Sequence, residues 1–159
     1  MTRSELSIVI PFLNEDHVLP LLRQRLENVR NRPSHWELLF VSDGSTDASS
    51  RFIEAWASED PSVKLIVLTR NFGHQNAISA GLSFASGDCV GIMDADLQDE
   101  PEILLDMYRA LRSDNVDIVY AVRTARRVTK LKRFFTSCFT GFTFTWLIAP
   151  SKPTAAIFV

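Results

Sequence analysis

Short apolar runs recur along the chain, separated by stretches in which apolar residues return every three or four positions. "LSIVIP" (6–11), "WELLFVS" (36–42), "VKLIVLT" (63–69), "DCVGIM" (88–93) and "VDIVYAV" (116–122) are near-continuous runs bounded by turn residues, the pattern of strands buried on both faces. Between them, Val18, Leu21, Leu22, Leu26 and Val29 predict a helix over 17–30 with one apolar face. Phe52, Ile53, Ala55 and Trp56 predict a second over 46–57, and Ala77, Ile78, Gly81, Leu82 and Ala85 a third over 74–85. Ile103, Leu104, Met107 and Leu111 predict a fourth over 101–113. Strands alternating with helices argue an α/β fold of three α/β/α layers around a mostly parallel sheet.

The pattern breaks after residue 123. "RTARRVTKLKR" (123–133) carries six basic residues, and "FFTSCFTGFTFTWLIAP" (134–150) is aromatic and rich in threonine. A helix starting near Thr129 would bring Leu131, Phe135, Phe139 and Phe142 to one side beside basic flanks. That is the character of an interfacial helix on an anionic membrane, and equally of a helix packed on its own domain. The closing "SKPTAAIFV" shows no helical stripe. The core therefore reads as 1–122 and the remainder as a peripheral or incomplete extension.

Composition narrows the classes. The chain has 159 residues, the size of one ordinary domain, and its 46% hydrophobic content suffices for a core. A net charge of −2 gives no global field to recruit nucleic acid. Of the two cysteines, Cys89 falls in an apolar run, which argues against a structural disulfide and for a reducing compartment. "MTRSELSIVI" has no signal-peptide character, and no uninterrupted apolar stretch reaches the ~18 residues of a membrane span.

In open parallel sheets, ligands bind beyond the carboxyl ends of the strands. The segments at the ends of the five runs therefore map the candidate site: "PFLNED" (11–16), "SDGSTD" (42–47), "RNFGHQN" (70–76), "DADLQDE" (94–100) and "RTARR" (123–127). The fourth is the most acidic. Asp99, Glu100 and Glu102 surround Pro101 and have a helix-start signature, where acids meet the positive end of the helix. Asp94 and Asp96 precede the helix, and two carboxylates at a strand end suit a divalent cation, with Gln98 as a further hard oxygen. The alternative is a pair of solvated turn aspartates. Gly44 to Asp47 read as a turn and helix cap, whereas Asp43 at the strand tip can accept hydrogen bonds from a base or ribose. Arg70 reaches the same edge as an anion contact or a plain surface arginine. His17, His35 and His74 have no metal-ligand spacing and read as ordinary. The Gly-rich dinucleotide and P-loop signatures are absent, as is the serine nucleophile elbow.

"SIVIPFLNE", "LLFVSDGSTD", "LTRNFGHQNAISAGLSFASGD" and "GIMDADLQDEPE", in this order and spacing, resemble the family 2 inverting glycosyltransferases, and among them the polyprenyl-phosphate sugar transferases. The resemblance covers roughly residues 6–127. It implies a nucleotide-sugar transferase fold of the GT-A type over 1–127, with 128–159 as an incomplete acceptor-side or membrane-associated segment. It also implies metal-dependent transfer of a sugar from a UDP- or GDP-linked donor to a dolichyl or undecaprenyl phosphate. Residue by residue, Pro11, Asn14 and Glu15 would lie against the nucleoside and Asp43 would hold the base. Asp94 would approach the ribose and metal, and Asp96 and Gln98 would hold Mg²⁺ or Mn²⁺ on the diphosphate. Arg123, with Arg127, would neutralise the phosphates. The expected catalytic base lies beyond the matched segment. The implied location is the cytoplasmic face of a membrane, with a peripheral attachment and room for oligomerisation. Leu13 stands where the family commonly has tyrosine, and "QDEPE" where "QDPPE" is usual. No Asp or Glu follows Asp117, so a C-terminally truncated, inactive donor-binding remnant is the alternative expectation.

Overall fold

The computed structural model describes residues 4–29, 35–98, 100–114, 116–121 and 155–158. Arg123, Arg127, Asp99 and the basic–aromatic stretch of 128–154 lie outside them. The described elements run β1 (Leu6–Phe12), α1 (Leu19–Val29), β2 (Trp36–Ser42), α2 (Ser49–Glu59), β3 (Val63–Val67), α3 (His74–Phe84), β4 (Cys89–Ile92), α4 (Pro101–Asp114), β5 (Ile118–Tyr120) and β6 (Ala155–Phe158). They build one six-stranded sheet in the order β3-β2-β1-β4-β6-β5. Every pairing is parallel, from β3 across to β5.

Burial on both faces explains the apolar runs. Every residue of β1 and β2 is buried, and alternate side chains feed two separate cores. Leu6, Ile8, Ile10 and Phe12 join Trp36, Leu38 and Phe40 in the larger core, under Leu22 and Leu26 of α1, Ile53 and Trp56 of α2, and Leu104 and Leu111 of α4. Val9, Leu39, Val41, Val90 and Ile92 face the other way and pack with Ala77 of α3. Fully burying one such side chain contributes about 1.5–3 kcal/mol, so the sheet and its two covers stabilise each other. Gly81 sets how close α3 can come: a Cβ there would collide with Val9 Cγ1 and lie 3.0 Å from Val41 Cγ2.

The elements agree with the sequence reading, with shifts of a few residues at their ends. Helix α1 buries Leu19, Leu22, Leu26 and Val29, while Leu21, expected on that face, is 45% exposed. Ile103 of α4 is likewise exposed rather than in the stripe. The last predicted strand shrinks to three residues, Ile118–Tyr120. Residues 155–158, read as part of a patternless extension, form β6 and pair with β4 on one side and β5 on the other. Periodicity could not reveal β6, because a run of four residues carries too little pattern to separate strand from coil.

One polar knot lies at the edge of the sheet opposite the ends of β1 and β4. Glu37 is buried in β2 and accepts hydrogen bonds from Ser7 Oγ (2.5 Å), Ser86 N–H (2.7 Å) and Ser86 Oγ (2.8 Å), and an ion pair from Lys64 Nζ. The Gly87 N–H donates to Ser7 Oγ at 2.8 Å. Burial alone would raise the Glu37 carboxyl, but Lys64, Ser7 and Ser86 outweigh it and hold the group below the ordinary carboxylate range. The folded state therefore binds this proton less tightly than the unfolded chain. The stabilisation is full above the unfolded value and is lost as pH falls through the lower folded one. Glu37→Gln should destabilise the chain by about 1–3 kcal/mol at neutral pH, the scale of losing charge-assisted partners. Urea midpoints of wild type and variant, compared from neutral into acid, should converge as the pH drops.

Candidate functional site

The strand order reverses between β1, whose chain continues to β2 on one side, and β4 on the other. A parallel sheet leaves a crevice at such a point, outside the carboxyl ends of the strands. A cleft of about 310 Å³ opens there, within the range of small-ligand pockets. Its walls come from the segments mapped on the sequence. Pro11, Leu13 and Glu15 come from the end of β1 and the loop after it, Asp43 from the end of β2, Asn71 from the loop before α3 and His74 from its first position, and Asp94 and Asp96 from the loop after β4.

Asp43 is 4% exposed. Its Oδ1 accepts the Phe72 N–H at 2.7 Å and its Oδ2 accepts the Gly73 N–H at 2.9 Å. The carboxylate thus clamps the segment before α3 onto the end of β2. Gly44 permits the close approach: its φ is +75°, and a Cβ there would stand 2.5 Å from the Arg70 carbonyl carbon and 2.6 Å from the Asn71 nitrogen. Glycine is the residue that adopts this φ without penalty and leaves that space open.

The loop after β1 is tied to the loop after β2. Asn14 sits at φ +56°, a left-handed conformation that asparagine tolerates better than most residues. Its Oδ1 accepts the Thr46 N–H at 2.8 Å, and its own N–H donates to Ser45 Oγ at 3.1 Å. The Glu15 N–H donates to Ser49 Oγ at 2.8 Å. Asp47 receives the Ser49 N–H on Oδ1 and the Asp16 N–H on Oδ2. Burial opposes the charge on Asp47, but these donors prevail and lower its pKa. "GSTD" is thus a turn and cap, as its composition predicts, and Asn14 turns toward Thr46 rather than lining the cleft.

After β4, Ala95 is buried and the chain turns. Asp96 Oδ1 accepts the Gln98 N–H at 2.9 Å, and Leu97 takes φ +63°. Asp94 and Asp96 both line the cleft, while Gln98 is exposed outside its lining. Among the described residues no group of three or more His, Cys, Asp or Glu side chains is arranged to hold a metal ion. A pair of carboxylates still fits Mg²⁺ or Mn²⁺, because such ions are commonly held by one or two carboxylates, with waters and substrate phosphates completing the shell.

Two residues of the third segment divide: Arg70 takes the plain surface position that the sequence left open, and His74 lines the cleft. Arg70 lies over the Phe72 ring, 4.1 Å from its centroid, and outside the cleft lining. His74, read as ordinary, is the first residue of α3 and puts Nε2 3.5 Å from Asp94 Oδ1. The signal that could have found it is positional: His74 opens a helix immediately after a strand-end loop. Cys89 is a buried free thiol whose burial pushes its pKa up, so it is an inert core residue. Among the described residues no helix is long and apolar enough to cross a membrane.

Known proteins resemble this chain in sequence and in fold. The family model described as glycosyl transferase family 2 matches residues 7–155. A glycosyltransferase of Bacillus subtilis is 45% identical over 122 residues, covering 76% of this chain and 38% of that protein. The undecaprenyl-phosphate 4-deoxy-4-formamido-L-arabinose transferase of Shewanella sediminis is 42% identical over 130 residues, covering 80% and 39%. This chain therefore spans about two fifths of the length of those relatives. Among solved structures, a mannosyltransferase from Pyrobaculum calidifontis in complex with GDP-Man and Mn²⁺ superposes with a TM-score of 0.59 at 25% identity, over 77% of this chain and 37% of that one. The fold is that of the GT-A glycosyltransferases. With four strand-end motifs converging on one cleft and a family match along most of its length, the chain belongs to glycosyl transferase family 2.

Proposed function

We propose that this chain carries the donor-binding half of a metal-dependent glycosyltransferase that moves a sugar from a UDP- or GDP-linked donor to a polyprenyl phosphate. The observation that carries the reading is the acidic cleft at the β1/β4 switch point, lined by Glu15, Asp43, Asp94 and Asp96. A nucleotide fits its volume, and a cation is needed to seat a diphosphate among those carboxylates. Asp94 and Asp96, with Gln98 beside them, would hold Mg²⁺ or Mn²⁺, which when bound stabilises the charge developing on the departing nucleoside diphosphate. Pro11 and Glu15 border the nucleoside side of the cleft, and Asn14 shapes it through Thr46. Asp43 keeps its remaining lone pairs for the base. Arg123, with Arg127, would meet the phosphates from the segment after β5.

The relatives point to the acceptor. The Shewanella sediminis protein is named for undecaprenyl phosphate, and the basic and aromatic residues of 123–146 suit a peripheral position at an anionic membrane. A second reading is donor binding without transfer: the lining of the described cleft accounts for a nucleotide and its cation. Incubating the chain with labelled nucleotide sugar and undecaprenyl phosphate separates the two. Label extracted with the lipid supports transfer, and donor binding without labelled lipid supports the second reading.

Calorimetry with UDP and GDP should show binding that needs Mg²⁺ or Mn²⁺ and disappears with chelator. Asp96→Asn should weaken the metal-dependent part by about 1–3 kcal/mol, the scale for a charge-assisted partner. Equal affinity with and without metal would remove the cation from the reading.

Asp43→Ala should lower nucleoside affinity while leaving the metal dependence intact. Its melting temperature should also fall, because the Phe72 and Gly73 N–H groups lose their acceptor. A lower melting temperature with unchanged affinity would limit Asp43 to the clamp.

A further inference from the structure

The cleft has an imbalance of charge. Glu15, Asp43, Asp94 and Asp96 line it, and among the described residues His74 is the only lining side chain able to carry positive charge. Arg70, the nearest arginine in sequence, stacks on Phe72 and donates to the Asn71 carbonyl instead. An anionic ligand entering this space therefore meets the imidazole of His74 among those carboxylates.

The position of His74 is fixed from below and from behind. Helix α3 packs Ala77 and Gly81 against the sheet, where Gly81 lets it sit directly on Val9 and Val41. The residues just before it are clamped by Asp43 through the Phe72 and Gly73 N–H groups. The ring itself is half exposed, at 52% for the side chain, and Nε2 stands 3.5 Å from Asp94 Oδ1, longer than a good hydrogen bond. A donor group held on a rigid element, beside the two strand-end aspartates and loosely engaged, is placed to be completed by a ligand.

We propose that His74 is a donor-binding residue whose imidazole N–H hydrogen-bonds the diphosphate of the nucleotide sugar. This rests on the donor-site reading above. Hydrogen bonds to ionised oxygens are the strong ones, so His74 should distinguish a nucleoside diphosphate from the bare nucleoside. It also links the two ends of the cleft, because the Asp43 clamp that borders the nucleoside fixes the backbone from which His74 reaches the diphosphate.

The test compares nucleoside with nucleoside diphosphate. Dissociation constants for uridine, guanosine, UDP and GDP are measured by ligand-observed NMR with Mg²⁺, on wild type, His74→Ala and His74→Gln. The alanine variant should weaken the preferred diphosphate about tenfold or more, the fold equivalent of a hydrogen bond to a charged group. The matching nucleoside should be unaffected, and glutamine, which keeps an N–H donor, should recover part of the loss. An alanine variant that binds the diphosphate as wild type does overturns the proposal. So does an equal loss for nucleoside and diphosphate, since that is the mark of a displaced loop. A wild type that binds neither UDP nor GDP overturns the donor-site reading and this proposal with it.

Discussion

Everything in this molecule depends on β1 being paired on both edges and buried on both faces. It takes β2 on one side over seven residues and β4 on the other over four, all parallel. A strand so enclosed has no solvated face, so its side chains must be apolar on every position except where a polar partner is built in. Ser7 is that exception, and its hydroxyl meets Glu37 and Gly87. Parallel pairing also dictates that the strands end together. The loops after β1, β2 and β4 are thereby delivered to one edge, and any chemistry they carry is concentrated there.

At that edge the backbone is held by side chains rather than by further sheet. Asp43 receives two N–H groups from the start of α3, Asn14 receives one from Thr46, and Asp47 receives two from Asp16 and Ser49. Buried or half-buried carboxylates are costly unless they are hydrogen-bonded. Here all of these bonds but the local one from Ser49 to Asp47 also fix one loop against the next, so the cost of burying polar groups is offset by a preformed cleft. Binding then need not order the loops, which is the general advantage of preorganisation.

The order of the elements, the parallel sheet and the strand ends that line the cleft were legible in the sequence, because long apolar runs alternating with amphipathic segments admit few other arrangements. "SDGSTD" was readable as turn and cap because serine, threonine and aspartate act locally. Three things were not. β6 is four residues long and inserts between β5, 38 positions earlier in register, and β4, 66 positions earlier, a non-local pairing that leaves no periodic trace. The exposure of Leu21 and Ile103 depends on which neighbour each helix meets, and amphipathic spacing does not name the neighbour. His74 was passed over because its significance is its distance to Asp94, twenty positions further along the chain. The pair becomes visible when α3 is laid across β1 and β2, with its first residue beside the loop that follows β4.

The acidic run after β4 shows how one stretch divides between structure and chemistry. Pro101 opens α4, and Glu102 falls in its first turn, where the helix's partial positive charge favours an acid. Asp96 turns the chain by accepting the Gln98 N–H on Oδ1, and it also lines the cleft. Asp94 faces His74. Carboxylates with helix-dipole or backbone partners are stable where they stand. Those lining the cleft repel both one another and any phosphate that enters. Of the groups described, His74 is the only lining side chain able to carry positive charge, and one such group is too little for a diphosphate among four carboxylates. Among the described residues that leaves a shortfall of positive charge, which a divalent cation, or Arg123 and Arg127 from the segment after β5, would make up for a bound diphosphate.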